Sequence, residues 1–252
     1  MILKDHPQGN YRFLTGIAPY SSGVIAMPGF EIIRVRLHQP LVVNESVFDR
    51  IAQHLSEVGR PIQALCSMEF RIPEPLSFDG FKAFNINYQR MLQDRDLLLG
   101  EMNPIARTNI SPSEFDLKEP SVYAFSYTIP GPSDPSFIVA GAGDISDQGD
   151  LSISAIVRPD ETSIDALEEK VGVVMGVMQD RLSGLGVDWD EVSKIDVYST
   201  IPLKSILVNS ILKKVGPAGL HGLNWYYSNP PIQGLIYEMD MRGIRKEFIL
   251  SI

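Results

Sequence analysis

Hydrophobic positions along this chain follow two periods, one typical of helices and one typical of strands. The clearest helical pattern covers residues 46–55, where Val47, Ile51 and Leu55 form a single apolar stripe. Residues 165–182 show the same spacing over a longer stretch. Both patterns predict amphipathic helices that bury one face and leave the other in water.

The same order of elements occurs in both halves of the chain. Each of the two helices leads into a strand-like stretch, a second helix, a loop rich in Pro, Gly or Asn, and a final alternating strand. Strands before the last one are predicted at residues 22–27, 31–37, 65–71, 137–141, 151–157 and 195–199. The second helices are predicted at residues 81–92 and 203–215. The pattern is therefore ββαβαβ in each half, which predicts an α+β fold with two mixed sheets, each with helices packed on one face.

A linker separates the two halves near the middle of the chain. Residues 129–135 contain three prolines and one glycine, a composition that excludes regular structure. We therefore predict two domains, at residues 1–130 and 136–252, and interpret the repeated order of elements as a tandem duplication.

Composition excludes several classes of partner. The chain has 252 residues and a formal net charge of -9, so we expect neither a nucleic acid nor a membrane surface as its partner. A small anion bound by a few local arginines is still compatible with this charge. Cys66 is the only cysteine, which excludes a disulfide within one chain. With no signal-peptide pattern at its start, the protein is expected in the cytoplasm.

Common cofactor and metal motifs are missing from the sequence. There is no phosphate-binding loop, and residues 141–144 lead into turn residues, so we predict a hairpin turn there. The four histidines have no spacing typical of a metal site. We therefore expect no metal and no cofactor.

Three segments concentrate polar groups that could carry chemistry. Arg107 follows a predicted helix at the start of a strand, where its planar fork of donors suits a carboxylate or, equally well, a surface ion pair. As a strand, residues 236–243 place Glu238, Asp240 and Arg242 on one face. For Asp240 and Arg242 we prefer a structural ion pair. The third segment, residues 16–23, is a turn that carries a tyrosine and two serines.

These segments together resemble the reactive-intermediate deaminase (RidA, or YjgF-like) family. The resemblance rests on the order of Ala18-Pro19-Tyr20-Ser21, the Asn-x-x-Tyr type of helix at residues 84–88, and Pro104-Ile105-Ala106-Arg107-Thr108. The first half lacks the glutamate that the family has in its last strand. The second half keeps a glutamate, Glu238, but has glycine in place of the arginine. The chain thus resembles two complementary copies of the RidA-like, chorismate-mutase-like domain.

The resemblance implies a site and a reaction. Arg107 would anchor the carboxylate of an enamine or imine acid, Glu238 would act as general base or position water, and Tyr20 would donate a hydrogen bond or close the cleft. Further substrate-binding candidates are Thr108, Asn109, Asn85 and Ser21. Family members form trimers with sites between domains, so a homotrimer is expected.

The activity that fits best is hydrolytic deamination of 2-aminomuconate or a chlorinated analogue, as in the breakdown of aminophenols and nitroaromatics. A duplicated, specialised chain favours such a dedicated substrate over general scavenging of 2-aminoacrylate. Two alternatives stay open: a chorismatase-like hydrolase, and a protein that binds small acids without turning them over. Whether Arg107 and Glu238 share one cavity is not decided by the sequence.

Overall fold

Two β-sheets face each other at the centre of this protein, and helices cover the outer face of each. The computed structural model describes residues 1–251. In the first half the strands are β1 (Leu3–His6), β2 (Tyr11–Leu14), β3 (Gly23–Ala26), β4 (Phe30–Val42), β5 (Leu65–Arg71), β6 (Ala106–Pro112) and β7 (Ser121–Pro130). In the second half they are β8 (Phe137–Gly143), β9 (Lys194–Tyr198), β10 (Asn224–Tyr226), β11 (Ser228–Asn229), β12 (Glu238–Gly243) and β13 (Lys246–Leu250). The helices are α1 (Glu45–Glu57), α2 (Phe78–Gln93), α3 (Ile164–Leu185) and the short α4 (Lys204–Ile206).

One arrangement of four strands occurs in each sheet. The six-stranded sheet has the order β11-β6-β5-β7-β4-β13, and the seven-stranded sheet has the order β1-β2-β3-β8-β12-β9-β10. The run β4-β7-β5-β6 thus matches β8-β12-β9-β10, with the parallel pair at the same end in both. The first two strands of each run, β4 with β7 and β8 with β12, are antiparallel neighbours. The run differs from the order predicted for each half in its first strands: β3, at the predicted residues 22–27, pairs with β8 and not with β4.

Each end of the chain joins the sheet of the other half. Strands β1 to β3 extend the seven-stranded sheet, because β3 pairs with β8 beyond the linker. Strand β13 pairs in parallel with β4 and lies at the edge of the six-stranded sheet. The division into domains 1–130 and 136–252 stays a prediction, and the sheets themselves are shared across it.

The helices begin and end where local chemistry favours it. The Asn44 side chain accepts a hydrogen bond from the Val47 backbone at the start of α1, and Ser77 caps α2 in the same way. Helix α3 ends at Gly186, which adopts a left-handed conformation with φ of 77°. Within the described residues, no helix is long and apolar enough to cross a bilayer.

Three apolar cores define the layers. Helices α1 and α2 pack on the six-stranded sheet around Phe48 and Phe70. Helix α3 packs on the seven-stranded sheet through residues such as Val171 and Met178. A smaller core that includes Val24 and Cys66 lies between the two sheets.

The rest of the space between the sheets is polar. Arg34 of β4 and Glu69 of β5 form two hydrogen bonds of 2.6 Å, and both side chains are buried. In the facing sheet, Arg242 lies 2.8 Å from Asp196 and 3.3 Å from Asp240. The ion pair predicted between Asp240 and Arg242 is therefore present, and it lies inside the protein.

Three local predictions in the second half are wrong. Residues 151–157 form no strand but a loop with one 3₁₀ turn at Ile153–Ala155, because β8 pairs directly with β3 and β12 and leaves no place for another strand. Residues 141–143 continue β8 instead of turning, since β12 pairs with them. The helix predicted over residues 203–215 is wrong in its regularity and its end: the short α4 continues into a π-helical turn at Leu207–Leu212, after which the helix stops.

Candidate active site

Arg107 lies on β6 and points into an aromatic enclosure under α2. The centre of its guanidinium is 4.8 Å from the ring centroid of Tyr20 and 4.7 Å from that of Tyr88. Phe70, Phe81 and Phe84 also surround it within 6 Å. One terminal nitrogen, Nη2, donates a hydrogen bond of 2.5 Å to the Asn85 side chain on α2. These contacts hold the guanidinium plane in one orientation.

The remaining donors of Arg107 are not used by the protein. Nε and Nη1 are buried and have no hydrogen-bond partner among the described residues. Burial lowers the pKa of Arg107, because the charged form loses its hydration. A buried guanidinium with free N–H groups strongly favours an anionic ligand, since an unsatisfied buried donor is costly. The geometry therefore suits a carboxylate.

Glu238 approaches from the facing sheet, at the first residue of β12. Its Oε1 fills the place where a side chain at Gly141 of β8 would lie. Only glycine at position 141 leaves room for the carboxyl group, which explains why β8 carries a glycine at this point. Thr108 of β6 lies on the other side of the same gap.

The surroundings of Glu238 favour its protonated form. Burial raises the pKa of Glu238 well above its ordinary value, and the nearby Asp240 raises it further, while Arg181 and Arg107 oppose this. The raised pKa favours the neutral carboxyl group, which is able to donate a proton. Burial also raises the pKa of Tyr20, so its hydroxyl stays a neutral donor.

Arg107 and Glu238 line one cavity between the two sheets, which we call the inner cavity. Its wall also includes Tyr20, Asn109 and Phe81. The space within it that is open to water measures about 30 Å³, enough for one or two water molecules. The roof is a loop in which Gln148 donates hydrogen bonds to the carbonyls of Gly143 and Ile145. The two residues that the sequence could not place together thus face one another across an enclosed space.

The other predicted site residues take different positions. Asn109 lines the inner cavity, and its side-chain oxygen is buried without a partner. Asn85 lies behind Arg107 and orients it. Ser21 and Thr108 lie outside the residues that line the cavity. The Ser21 hydroxyl donates instead to the Pro104 carbonyl at 3.0 Å, which ties the turn carrying Tyr20 to the start of β6.

Metal-binding groups are not gathered at this site. Among residues 1–251, no group of three or more His, Cys, Asp or Glu side chains is arranged to hold a metal ion. The chemistry that these residues can perform is recognition of an anion by Arg107 and proton transfer by Glu238.

Comparison with known proteins assigns the chain to a family. The family model described as 2-aminomuconate deaminase CnbZ matches residues 3–248. The chain belongs to the CnbZ family. A 2-amino-5-chloromuconate deaminase from Comamonas testosteroni is 39% identical to this CnbZ-family chain over 245 residues, which is 96% of each protein.

A solved structure shares the fold of this CnbZ-family protein. The crystal structure of a chorismatase superposes with a TM-score of 0.50 and 11% sequence identity, covering 88% of this chain and 77% of the chorismatase chain. At this identity the likeness concerns the fold alone. It agrees with the mixed α+β architecture described above.

The sequence of this CnbZ-family protein did not indicate two residues of the site, Arg181 and Gly141. Arg181 of α3 is buried, and it is an electrostatic neighbour of both Glu238 and Tyr20. Its position among the apolar residues of a long helix could have indicated a functional residue, because an arginine buried there needs a partner. Gly141 was the second: it lies in the strand predicted at residues 137–141, but its close approach to Glu238 became visible only in the structure.

Proposed function

We propose that this protein is a cofactor-free hydrolytic deaminase of 2-aminomuconate or a chlorinated analogue. The reaction replaces the amino group of the enamine or imine acid by oxygen from water and releases ammonia, giving the 2-hydroxy or 2-oxo acid. The observation that carries the proposal is the inner cavity, where a guanidinium with two unpaired nitrogens, Arg107, and a carboxyl group with a raised pKa, Glu238, border space for water. Membership of the CnbZ family supports the choice of substrate.

Arg107 binds the carboxylate next to the carbon that bears nitrogen. Its Nε and Nη1 have no partner within the described part of the chain, so these charged donors are available for hydrogen bonds to the carboxylate. The aromatic rings around the guanidinium and its bond to Asn85 keep it oriented before substrate arrives. This preorganisation lowers the entropic cost of placing the C–N bond beside Glu238.

Glu238 supplies and removes protons in turn. As a neutral acid it protonates the enamine, which converts the C–N bond to an iminium carbon open to attack. The resulting carboxylate then accepts a proton from the water that adds to this carbon and passes it to nitrogen. As ammonia leaves, the new hydroxyl group gives its proton to Glu238, which forms the 2-oxo group and restores the neutral acid. A carboxyl group with a raised pKa suits these steps, because it holds a proton to donate and is a stronger base once it has lost it.

The Asn109 side chain offers a further contact to the reacting groups. Its buried oxygen has no partner within the described part of the chain. An acceptor at this position suits the amino group of the substrate or the attacking water, since both carry donors. Tyr20, which forms part of the wall, donates its hydroxyl proton to the substrate or closes the cavity.

The test is ammonia release by purified, chelator-treated protein from freshly generated 2-aminomuconate, together with loss of its near-ultraviolet absorbance. 2-Aminoacrylate is tested in parallel. We expect rapid turnover of the muconate and slow turnover of the acrylate. Absence of ammonia from both substrates would refute the proposal, and pyruvate release from chorismate would indicate a chorismatase-like hydrolase instead.

We further infer that the two halves are tandem RidA-like copies. The repeated strand order and the division of Arg107 and Glu238 between the halves support this inference. The expected homotrimer is tested by light scattering at micromolar protein concentration, where a monomer would contradict it.

A further inference from the structure

A second arginine lies beside the inner cavity, in a wider cleft that adjoins it. This outer cleft is lined by Arg181, Tyr20 and Gln148, and its space open to water measures about 630 Å³. Tyr20 and Gln148 also line the inner cavity, so these two side chains form the boundary between the two spaces.

Backbone carbonyls accept hydrogen bonds from Arg181, and its guanidinium still has a nitrogen without a hydrogen-bond partner among the described residues. Its Nη1 donates to the carbonyls of Ala140 and Gly141, at 2.7 and 3.2 Å. Its Nε is buried without a partner. No salt bridge joins Arg181 to a carboxylate within the 1–251 range. A buried guanidinium that contacts only carbonyls keeps its positive charge uncompensated.

The size of the inner cavity limits what it can hold. A 2-aminomuconate molecule is a six-carbon chain with a carboxylate at each end. Space for one or two water molecules accommodates only the end that reacts. The rest of the substrate must extend past Tyr20 and Gln148 into the outer cleft, where Arg181 lies.

The charges of the protein and of the outer cleft also indicate that Arg181 contacts the substrate. The net charge of -9 opposes a doubly anionic ligand, and the acidic residues Asp147 and Asp180 also line the outer cleft. A dicarboxylate binds there only if a local cation meets its second carboxylate. Of the residues that line the outer cleft, Arg181 is the one cationic side chain within the described part of the chain.

We propose that Arg181 binds the second carboxylate of the substrate and makes the site selective for dicarboxylates over monocarboxylates. This inference rests on the proposed function. It assigns the two carboxylates to arginines of different halves, Arg107 from β6 and Arg181 from α3. Selectivity then depends on the packing of the two halves against each other.

The test uses two unreactive ligands that differ in one group. In sorbate a methyl group replaces one carboxylate of trans,trans-muconate, and the dissociation constant of each ligand is measured by isothermal titration calorimetry. We expect the unaltered protein to bind muconate at least about tenfold more tightly than sorbate. Arg181→Met should abolish this ratio and leave sorbate binding unchanged, whereas Arg107→Met should weaken both ligands.

Controls separate a binding role from a structural one. Lys213→Met removes an exposed positive charge and should keep the ratio. If Arg181→Met does not fold, Arg181→Lys serves instead, with an intermediate ratio expected because the charge stays and the fork is lost. Equal weakening of both ligands, an unchanged ratio in Arg181→Met, or equal binding of both ligands by the unaltered protein would overturn the inference. Failure of the proposed function would show instead as absence of ammonia release from 2-aminomuconate.

Discussion

Arg34 and Arg107 are both buried side chains of the six-stranded sheet, yet their surroundings differ. Arg34 donates through Nε and Nη2 to the two oxygens of Glu69, and Glu247 lies 3.0 Å from its Nη1. Arg107 has aromatic rings and one amide as neighbours and leaves two nitrogens unpaired. A charge paired by carboxylates serves the fold, and a charge left unpaired is available to a ligand.

The distinction between the two arginines is tested most directly by replacing each one with methionine. Arg34→Met should lower the free energy of unfolding by about 3–5 kcal/mol, because Glu69 stays buried without its main partner. Arg107→Met should change it by no more than about 1 kcal/mol, since one hydrogen bond to Asn85 is lost. Urea unfolding measures both.

Catalytic activity should depend on Arg107 far more than stability does. Arg107→Met should lower kcat/KM by about 10²-fold or more, because charge-assisted hydrogen bonds to the substrate are lost.

The double variant Arg34→Met with Glu69→Gln should recover most of the stability that Arg34→Met loses, because both partners of the pair are then neutral. A large stability loss in Arg107→Met would contradict the distinction between the two arginines.

Replacing Glu238 by Gln should nearly abolish turnover while stabilising the protein at high pH. We expect kcat to fall about 10²- to 10⁴-fold, as for loss of a general acid and base. Because burial raises the pKa of Glu238, the folded state holds its proton more tightly than the unfolded state does. Wild-type stability therefore declines as pH rises above the ordinary glutamate pKa, until the raised pKa is passed.

Thermal unfolding of wild type and Glu238→Gln between pH 5 and pH 9 measures this difference. The melting temperature of the variant should exceed that of wild type by an amount that grows with pH. The two curves would stay parallel if Glu238 were ionised throughout, and the assigned protonated state would then be wrong.

Gly141→Ala tests the close approach of the two sheets at the site. The added methyl group overlaps the Glu238 carboxyl group and must displace it. A displacement of about 1 Å at a reacting group costs roughly 10²-fold in rate. The matched control is Gly172→Ala on α3, where nothing lies within 4 Å and helix stability should rise by about 1 kcal/mol. Equal kcat values for both variants would refute the steric role of Gly141.

The smallest effect is expected at Ser21. Ser21→Ala removes the hydrogen bond to the Pro104 carbonyl and should cost about 1 kcal/mol of stability with little change in kcat. A loss of kcat comparable to that of Arg107→Met would instead place the Ser21 hydroxyl in contact with the substrate.

Local patterns were sufficient to predict many of the elements. The stripe of Val47, Ile51 and Leu55 predicted helix α1, and the alternation of apolar and polar residues within 65–71 is typical of the strand β5 found there. Periodicity succeeds here because each element buries one face against its own sheet. Arg107 and Glu238 were identified on another basis. Each lies in a short segment whose order and spacing resemble a known family.

The sequence by itself determined most of the longer helices and strands and indicated the two residues on which the proposed chemistry rests. Only the tertiary structure decided that these residues share a cavity, that Gly141 makes room for Glu238, and that Arg181 borders the cleft. It also decided that β3 pairs with β8 and that residues 151–157 form no strand. The physical reason is that pairing between distant strands and burial between two sheets depend on contacts far apart in the chain, which no local period records.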